Sequence, residues 1–371
     1  MLLWTKLIIV LLLLLRYFYF VSTSTDTRAI SREPTVAFKK CVFGEKCVQL
    51  KDCYPIRKIL NEKHIFTDPK KHKLSQFKCD GDNENPSVCC PTAANKLPTV
   101  DSCGYTPIET RIVGGQPTTF KEFPWMALVQ YERISIYGVE NRFRCGGSLI
   151  NSRYVLTAAH CVTSESSNDA YNLRVRLGEW DIKDCPDQLY KIIKCARPHL
   201  DIMVEKTIIH PKFARKRKRF INDIALLRLN MPVSFTEAIS PICLKMVGVG
   251  VTSYKSPDVG PQLTVAGWGK TETAFMSSKL LKTDLMQMPL SSCSKHYGSL
   301  NETFYICAGS NHGNDSCNGD SGGPLMSRLG EKTYLAGITS FGATECGARD
   351  FPGLYVKTFQ YLNWIERSLK P

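Results

Sequence analysis

Sixteen cysteines constrain this chain of 371 residues more than any other feature. They stand behind an N-terminal leader. Lys6 precedes nine uninterrupted apolar residues, Leu7 to Leu15, and Arg16 interrupts before Tyr17-Phe18-Tyr19-Phe20-Val21. That run suits a secretory signal core and falls short of the roughly 20 apolar residues of a membrane span. Residues 1–29 are read as a signal peptide with its cut site left open, and a signal anchor containing Arg16 is the competing reading. An even cysteine count in an oxidising compartment means disulfides. Zinc ligands or free thiols are the alternative, and no Cys-x-x-Cys pair favours them.

Six of the cysteines, Cys41, Cys47, Cys53, Cys79, Cys89 and Cys90, crowd into residues 41–90. So short a segment cannot bury a large core and needs staples. Their spacing alone does not choose among the connectivities. Residues 91–111, with Pro91, Pro98 and Pro107, read as a linker. From Ile112 onward the texture is all-β. Short apolar or β-branched runs alternate with Gly and Pro turns: Trp125–Val129, Leu173–Leu177, Ile224–Leu229, Leu263–Ala266 and Tyr334–Ile338. Phe359–Leu369 predicts one amphipathic helix with Leu362, Ile365 and Leu369 on a face.

The net charge is +14 and the excess is spread over both halves of the chain. Such an excess is ordinarily a solvated surface. A secreted chain without a nucleic-acid motif is not expected to bind nucleic acid. One run stands out, Arg215-Lys216-Arg217-Lys218-Arg219.

Three short motifs carry chemistry. They are Leu156-Thr157-Ala158-Ala159-His160-Cys161, Asn222-Asp223-Ile224-Ala225-Leu226-Leu227 and Gly319-Asp320-Ser321-Gly322-Gly323-Pro324. In order they supply His160, Asp223 and Ser321, the set that turns a weak hydroxyl into a nucleophile at neutral pH. Each motif alone is moderately specific; together and in this order they are very specific. From Ile112 to the C-terminus the chain resembles the trypsin-like serine proteases. The resemblance implies two six-stranded β-barrels with a C-terminal helix, and an oxyanion hole built from the backbone N–H groups of Gly319 and Ser321. It implies no cofactor for catalysis. A catalytically dead homologue is the competing reading, and such homologues usually lack one of the three residues.

Substrate choice in that family rests on the residue six before the nucleophile, here Asp315. A carboxylate at the base of a narrow pocket pairs with Arg or Lys. Ser340, Gly342 and Gly353 match the pocket walls, and Phe341 replaces the tryptophan common in relatives. Read without the family, Asp315 is a surface-loop aspartate. Arg111-Ile112-Val113-Gly114-Gly115 resembles a zymogen activation site. Cleavage after Arg111 would free the Ile112 amine to pair with Asp320 and order the pocket.

The cysteine block, with its adjacent Cys89-Cys90, resembles the clip domain of arthropod proteases. That resemblance implies Cys41–Cys89, Cys47–Cys79 and Cys53–Cys90. The protease resemblance implies Cys145–Cys161, Cys293–Cys307, Cys317–Cys346 and a tether, Cys103–Cys243, that keeps the clip domain attached after cleavage. Cys185 and Cys195 resemble an extra bridge of the Easter and Spätzle-processing-enzyme group. Domain boundaries follow: clip domain 41–90, linker and activation site 91–111, protease domain 112–371.

The loop that carries Cys185 binds calcium in relatives, and Glu179, Asp181, Asp184 and Asp187 offer oxygens to a hard cation. Structural calcium and a solvated acidic loop both remain open. Asn301-Glu302-Thr303 is a glycosylation sequon on a loop. Asn314-Asp315-Ser316 also fits that pattern, but a glycan there would block the pocket. The basic run 215–219 is either an exosite for an acidic partner or a solvated loop. Taken together, the resemblance implies a secreted zymogen that cuts after Arg or Lys in an extracellular cascade of innate immunity or development. Its expected partners are a protein substrate (a Spätzle-like cytokine precursor in Toll signalling, or prophenoloxidase in melanization), an upstream trypsin-like activating protease and a serpin inhibitor, with no membrane partner. A non-catalytic clip-domain cofactor is the main rival, and a digestive trypsin the second.

Overall fold

The chain's short β-branched and apolar runs pair into two antiparallel barrels behind a small stapled module, as seen in a computed structural model. The structure describes residues 41, 45–61, 77–79, 86–91, 95–106, 116–135, 138–163, 172–183, 199–216, 219–244, 262–271, 274, 276–310, 320–342 and 351–370. The leader at 1–29 and the Arg111-Ile112 junction lie outside them. So do Gly319, Asp315, Asp184, Asp187 and the cysteines Cys185, Cys195, Cys317 and Cys346. Among the described residues no helix is long and apolar enough to cross a membrane.

The N-terminal module is a two-stranded sheet, β1 (Glu45–Gln49) against β2 (Ser87–Pro91), beside helix α1 (Tyr54–Asn61). Its apolar core is Cys53, Ile56, Phe77, Val88 and Cys90. So small a core needs covalent help, and the bridges Cys41–Cys89, Cys47–Cys79 and Cys53–Cys90 supply it. The module rests on the larger domain. Ser234 Oγ donates to the Cys89 carbonyl at 3.1 Å, and Glu45 Oε1 accepts the Phe235 N–H at 2.8 Å. The segment read as a linker is pinned over residues 95–106. It carries the Cys103–Cys243 bridge, the Gly104 N–H donates to the Pro241 carbonyl at 2.8 Å, and Asn151 Nδ2 donates to the Lys96 carbonyl at 3.2 Å.

A short strand β3 (Gln116–Pro117) precedes the first barrel. That barrel comprises β4 (Met126–Ser135), β5 (Gly138–Leu149), β6 (Tyr154–Thr157), β7 (Asn172–Leu177) and β8 (Leu200–Ile209). The basic run folds into a hairpin, β9 (Ala214–Lys216) and β10 (Arg219–Ile221), before β11 (Ala225–Leu229) closes the barrel in the order β11-β6-β5-β4-β7-β8. The second barrel uses β12 (Gln262–Gly267), β13 (Leu281–Met288), β14 (Tyr305–Gly309), β15 (Pro324–Leu329), β16 (Lys332–Phe341) and β17 (Gly353–Lys357). The β12–β13 pairing closes these six strands, and β3 adds to the outside of β13. Helix α2 (Leu290–Tyr297) carries one end of the Cys293–Cys307 bridge.

Leu128, Leu156, Val175, Leu226 and Ile338 lie in one large apolar core with Ile365, so the first barrel, the face of the second and the C-terminal helix pack as one. Burial of each such side chain contributes about 1.5–3 kcal/mol. The single helix expected over Phe359–Leu369 is instead a 3-10 turn, Thr358–Tyr361, followed by α3 (Leu362–Ser368). The reason is tertiary: Tyr361 leaves helical geometry and its hydroxyl donates to Asn222 Oδ1 at 2.9 Å.

Candidate active site

His160 sits in a 3-10 turn, Ala159–Cys161, directly after the fully buried strand β6. The Cys145–Cys161 bridge fastens that turn to β5. Asp223 precedes β11, whose register with β6 sets Ala225 opposite Thr157. The turn into β11 depends on Asn222, whose φ is +49°, a left-handed conformation that Asn tolerates better than most residues. Two bonds hold it: Asn222 Nδ2 donates to the Lys212 carbonyl at 2.7 Å, and Oδ1 accepts from Tyr361. This turn aims Asp223 inward, where it is fully buried.

A buried carboxylate needs partners, and Asp223 has three. Oδ2 meets His160 Nδ1 at 2.7 Å and accepts the Ser340 hydroxyl at 2.5 Å, while Oδ1 accepts the His160 backbone N–H at 2.8 Å. The imidazole is thus gripped at one ring nitrogen, and its side chain retains 19% exposure. Phe220 of β10 stacks on the ring face, centroids 4.8 Å apart and planes within 10°. The Phe220 carbonyl accepts from the Tyr305 hydroxyl at 2.8 Å, and its ring packs against Phe341.

Ser321 opens the turn into β15. Its carbonyl accepts the Gly146 N–H at 2.8 Å and lies 3.6 Å from Cys161 Sγ, which places it beside the histidine turn. Gly322 follows with φ +80°, and a Cβ there would come within 2.2 Å of Thr157 Oγ1, so no larger residue fits. Asp320 lays its carboxylate against Gly267 and Gly269 and accepts the Gly269 N–H at 2.8 Å; a Cβ on Gly267 would fall 1.9 Å from Oδ1.

Of the other residues predicted from sequence, Gly342 follows β16 and Gly353 begins β17, so both stand near Ser340 through the β16–β17 pairing. Asn301 is exposed, with its Oδ1 accepting the Thr303 N–H at 2.9 Å. In the basic run, Arg215 lies over the Phe220 ring and Arg219 Nη1 donates to the Tyr297 carbonyl at 2.9 Å. Glu179 follows β7 with its carboxylate among Arg176, His199 and the Trp180 N–H. Burial opposes charge on His199, but hydrogen bonds to Asp201 and Glu179 outweigh it and carry its pKa up to about 9. Asp181 Oδ1 accepts the Lys183 N–H at 3.2 Å. Two neighbours of the His160–Asp223 pair are not marked by the sequence. Ser340 reads there only as a pocket wall, and Phe220 carries no signal at all. Both act through pairings across more than fifty residues, which no local motif signals.

The comparisons with known proteins agree with this geometry. Residues 112–365 match the trypsin family, and residues 46–90 match the regulatory CLIP domain of proteinases. CLIP domain-containing serine protease B4 of Anopheles gambiae is 39% identical over 87% of this chain and 89% of that protein. Spaetzle-processing enzyme of Drosophila melanogaster is 37% identical over 88% and 89%. Among solved structures, neuropsin, a serine protease expressed in the limbic system of mouse brain, aligns with a TM-score of 0.52 and 29% identity, covering 70% of this chain and all of that one.

Proposed function

We propose that this chain, which belongs to the trypsin family of serine proteases and carries a regulatory clip domain, is a secreted zymogen that cuts protein substrates after Arg or Lys in an extracellular cascade. It is a trypsin-like serine endopeptidase. The observation that carries the mechanism is the fully buried Asp223 bonded at 2.7 Å to His160 Nδ1. With Nδ1 donating to Asp223, His160 Nε2 is the ring nitrogen left to take the Ser321 hydroxyl proton as that oxygen attacks the scissile carbonyl. The same nitrogen returns the proton to the leaving amine, and water then releases the acyl group from Ser321. Asp223 stabilises the imidazolium formed in between. The N–H groups of Gly319 and Ser321 receive the oxyanion.

In this reading Asp315 pairs with the substrate Arg or Lys. Cleavage after Arg111 frees the Ile112 ammonium to reach Asp320, whose carboxylate rests against the Gly267–Gly269 backbone. The Cys103–Cys243 bridge keeps the clip module on the cut enzyme. The name of the Drosophila relative favours a cytokine precursor of the Spätzle kind as substrate. The test is to express the zymogen and cut it with an added trypsin-like protease. Cut wild type should hydrolyse Arg-terminated reporter peptides. Arg111→Gln should stay whole and inactive, and Ser321→Ala should be cut yet inactive. Full turnover by either variant would overturn the reading.

A further inference from the structure

Between His210 and Asn222 the sequence sets six cations, Lys212, Arg215, Lys216, Arg217, Lys218 and Arg219, and no carboxylate. Arg217 and Lys218 lie outside the described residues. Of the other four, Lys212, Arg215 and Lys216 are exposed, and Arg219 is half-buried. Lys216 of β9 and Arg219 of β10 are register partners, and like charges directly opposite each other destabilise a strand pair. The electrostatics of the hairpin therefore works against it, and contacts with its surroundings set its place. Arg219 Nη1 donates to the Tyr297 carbonyl at 2.9 Å, at the C-terminal end of α2, where a helix favours a cation. The Phe220 carbonyl accepts the Tyr305 hydroxyl at 2.8 Å, and the Phe220 ring packs against Phe213 and Phe341. Helix α2 adds Lys295 in its last turn and no carboxylate of its own.

We propose, resting on the proteolytic function given above, that this hairpin is an exosite for an acidic segment of the protein substrate. Its place separates it from an ordinary solvated loop. Phe220 stacks on the His160 imidazole with centroids 4.8 Å apart, and the Arg215 guanidinium lies 5.9 Å from the centre of the same ring. A polypeptide held for cleavage at His160 and Ser321 therefore runs close to the hairpin. Among the described residues neither Lys212 nor Lys216 pairs with a carboxylate, so their charge is open to a ligand. Each exposed ion pair with the substrate is weak and screened by salt. Several on one placed hairpin draw an acidic segment toward the cleft, which acts on capture and not on the chemical step. A polypeptide fits better than a sulfated polysaccharide, because these contacts add to an attachment already made at the scissile bond.

Matched fluorogenic peptides test this on the full-length protein cut at Arg111. They share the residues around the scissile Arg and are extended, at one end or the other, by a run of Glu or of Gln. Wild type should cleave one acidic peptide with kcat/KM about tenfold above its neutral match at low ionic strength, with the gain in KM and lost in high salt. Lys212→Gln/Lys216→Gln should lose most of that gain while hydrolysing a short Arg reporter as wild type does, and adding Arg215→Gln should remove the rest. Fluorescence anisotropy of the labelled Glu peptide on cut Ser321→Ala protein reads the same binding without turnover, so a failure of the protease reading leaves the exosite measurable. Equal kcat/KM for acidic and neutral peptides in an active enzyme would overturn the proposal, as would equal binding of the two where no activity appears. So would a preference that survives the triple variant, or a sulfated polysaccharide held by these cations while the Glu peptide is not.

Discussion

The first barrel brings His160 and Asp223 to the cleft already joined, whereas the second brings Ser321 on a turn whose neighbour, Asp320, is the hinge of the proposed activation. On the first-barrel side the aspartate is sealed and bonded to the histidine at two points. On the second-barrel side the turn is braced through Gly146, Gly269 and the left-handed Gly322. The two halves also cross over. Ser340 of the second barrel steadies Asp223, and Gly146 of the first steadies Ser321. A switch belongs on the side that cleavage can change. The acid–base pair is held by buried hydrogen bonds, and the nucleophile's turn hangs on a carboxylate that a newly freed amine is proposed to reach.

Breaking the first-barrel half should cost most. Asp223→Asn keeps the volume but allows the His160 ring the wrong tautomer, and kcat of the cut enzyme should fall about 10⁴-fold with an unchanged fold. Steady-state kinetics with an Arg reporter and a melting curve check both parts. A loss confined to KM would mean that Asp223 does not act on the histidine.

Breaking the proposed substrate pocket should cost less and only for basic substrates. If Asp315 is the counter-ion proposed above, Asp315→Ser strands a guanidinium, at about 3 kcal/mol, which is roughly a hundredfold or more in kcat/KM. Reporters ending in Arg, Lys and Leu separate this from a general defect. An Arg preference that survives would move the specificity residue elsewhere.

Removing the crossover should cost least. Ser340→Ala deletes one donor to a buried carboxylate, about 1.5 kcal/mol or roughly tenfold in kcat. A larger effect on KM than on kcat would assign Ser340 to the pocket wall alone.

Much of this architecture is legible in the sequence. The five strand runs read from alternation fall within or beside β4, β7, β11, β12 and β16, because each is short, apolar on one face and bounded by turn residues. His160 and Asp223 announce themselves through local motifs, and Asn222 shows why one of those motifs is needed: its left-handed turn aims the aspartate. What the sequence does not carry depends on distant pairing. Ser340 meets Asp223 across 117 positions, Phe220 finds His160 through a hairpin hidden in a basic run, and Arg176 meets Asp201 by strand register. The Phe359–Leu369 helix is shortened by the same kind of contact, the pull of Tyr361 toward Asn222.

The most direct measurement is covalent labelling of the reacting atom. An arginyl phosphonate, which leaves a stable bond on an activated serine, should be mixed with the protein before and after cleavage at Arg111 and the adduct mapped by mass spectrometry. The expected result is one adduct per cut molecule, on Ser321, with loss of all peptide hydrolysis, and none on the uncut chain. Full hydrolysis by cut protein that carries no label on Ser321 would contradict this mechanism.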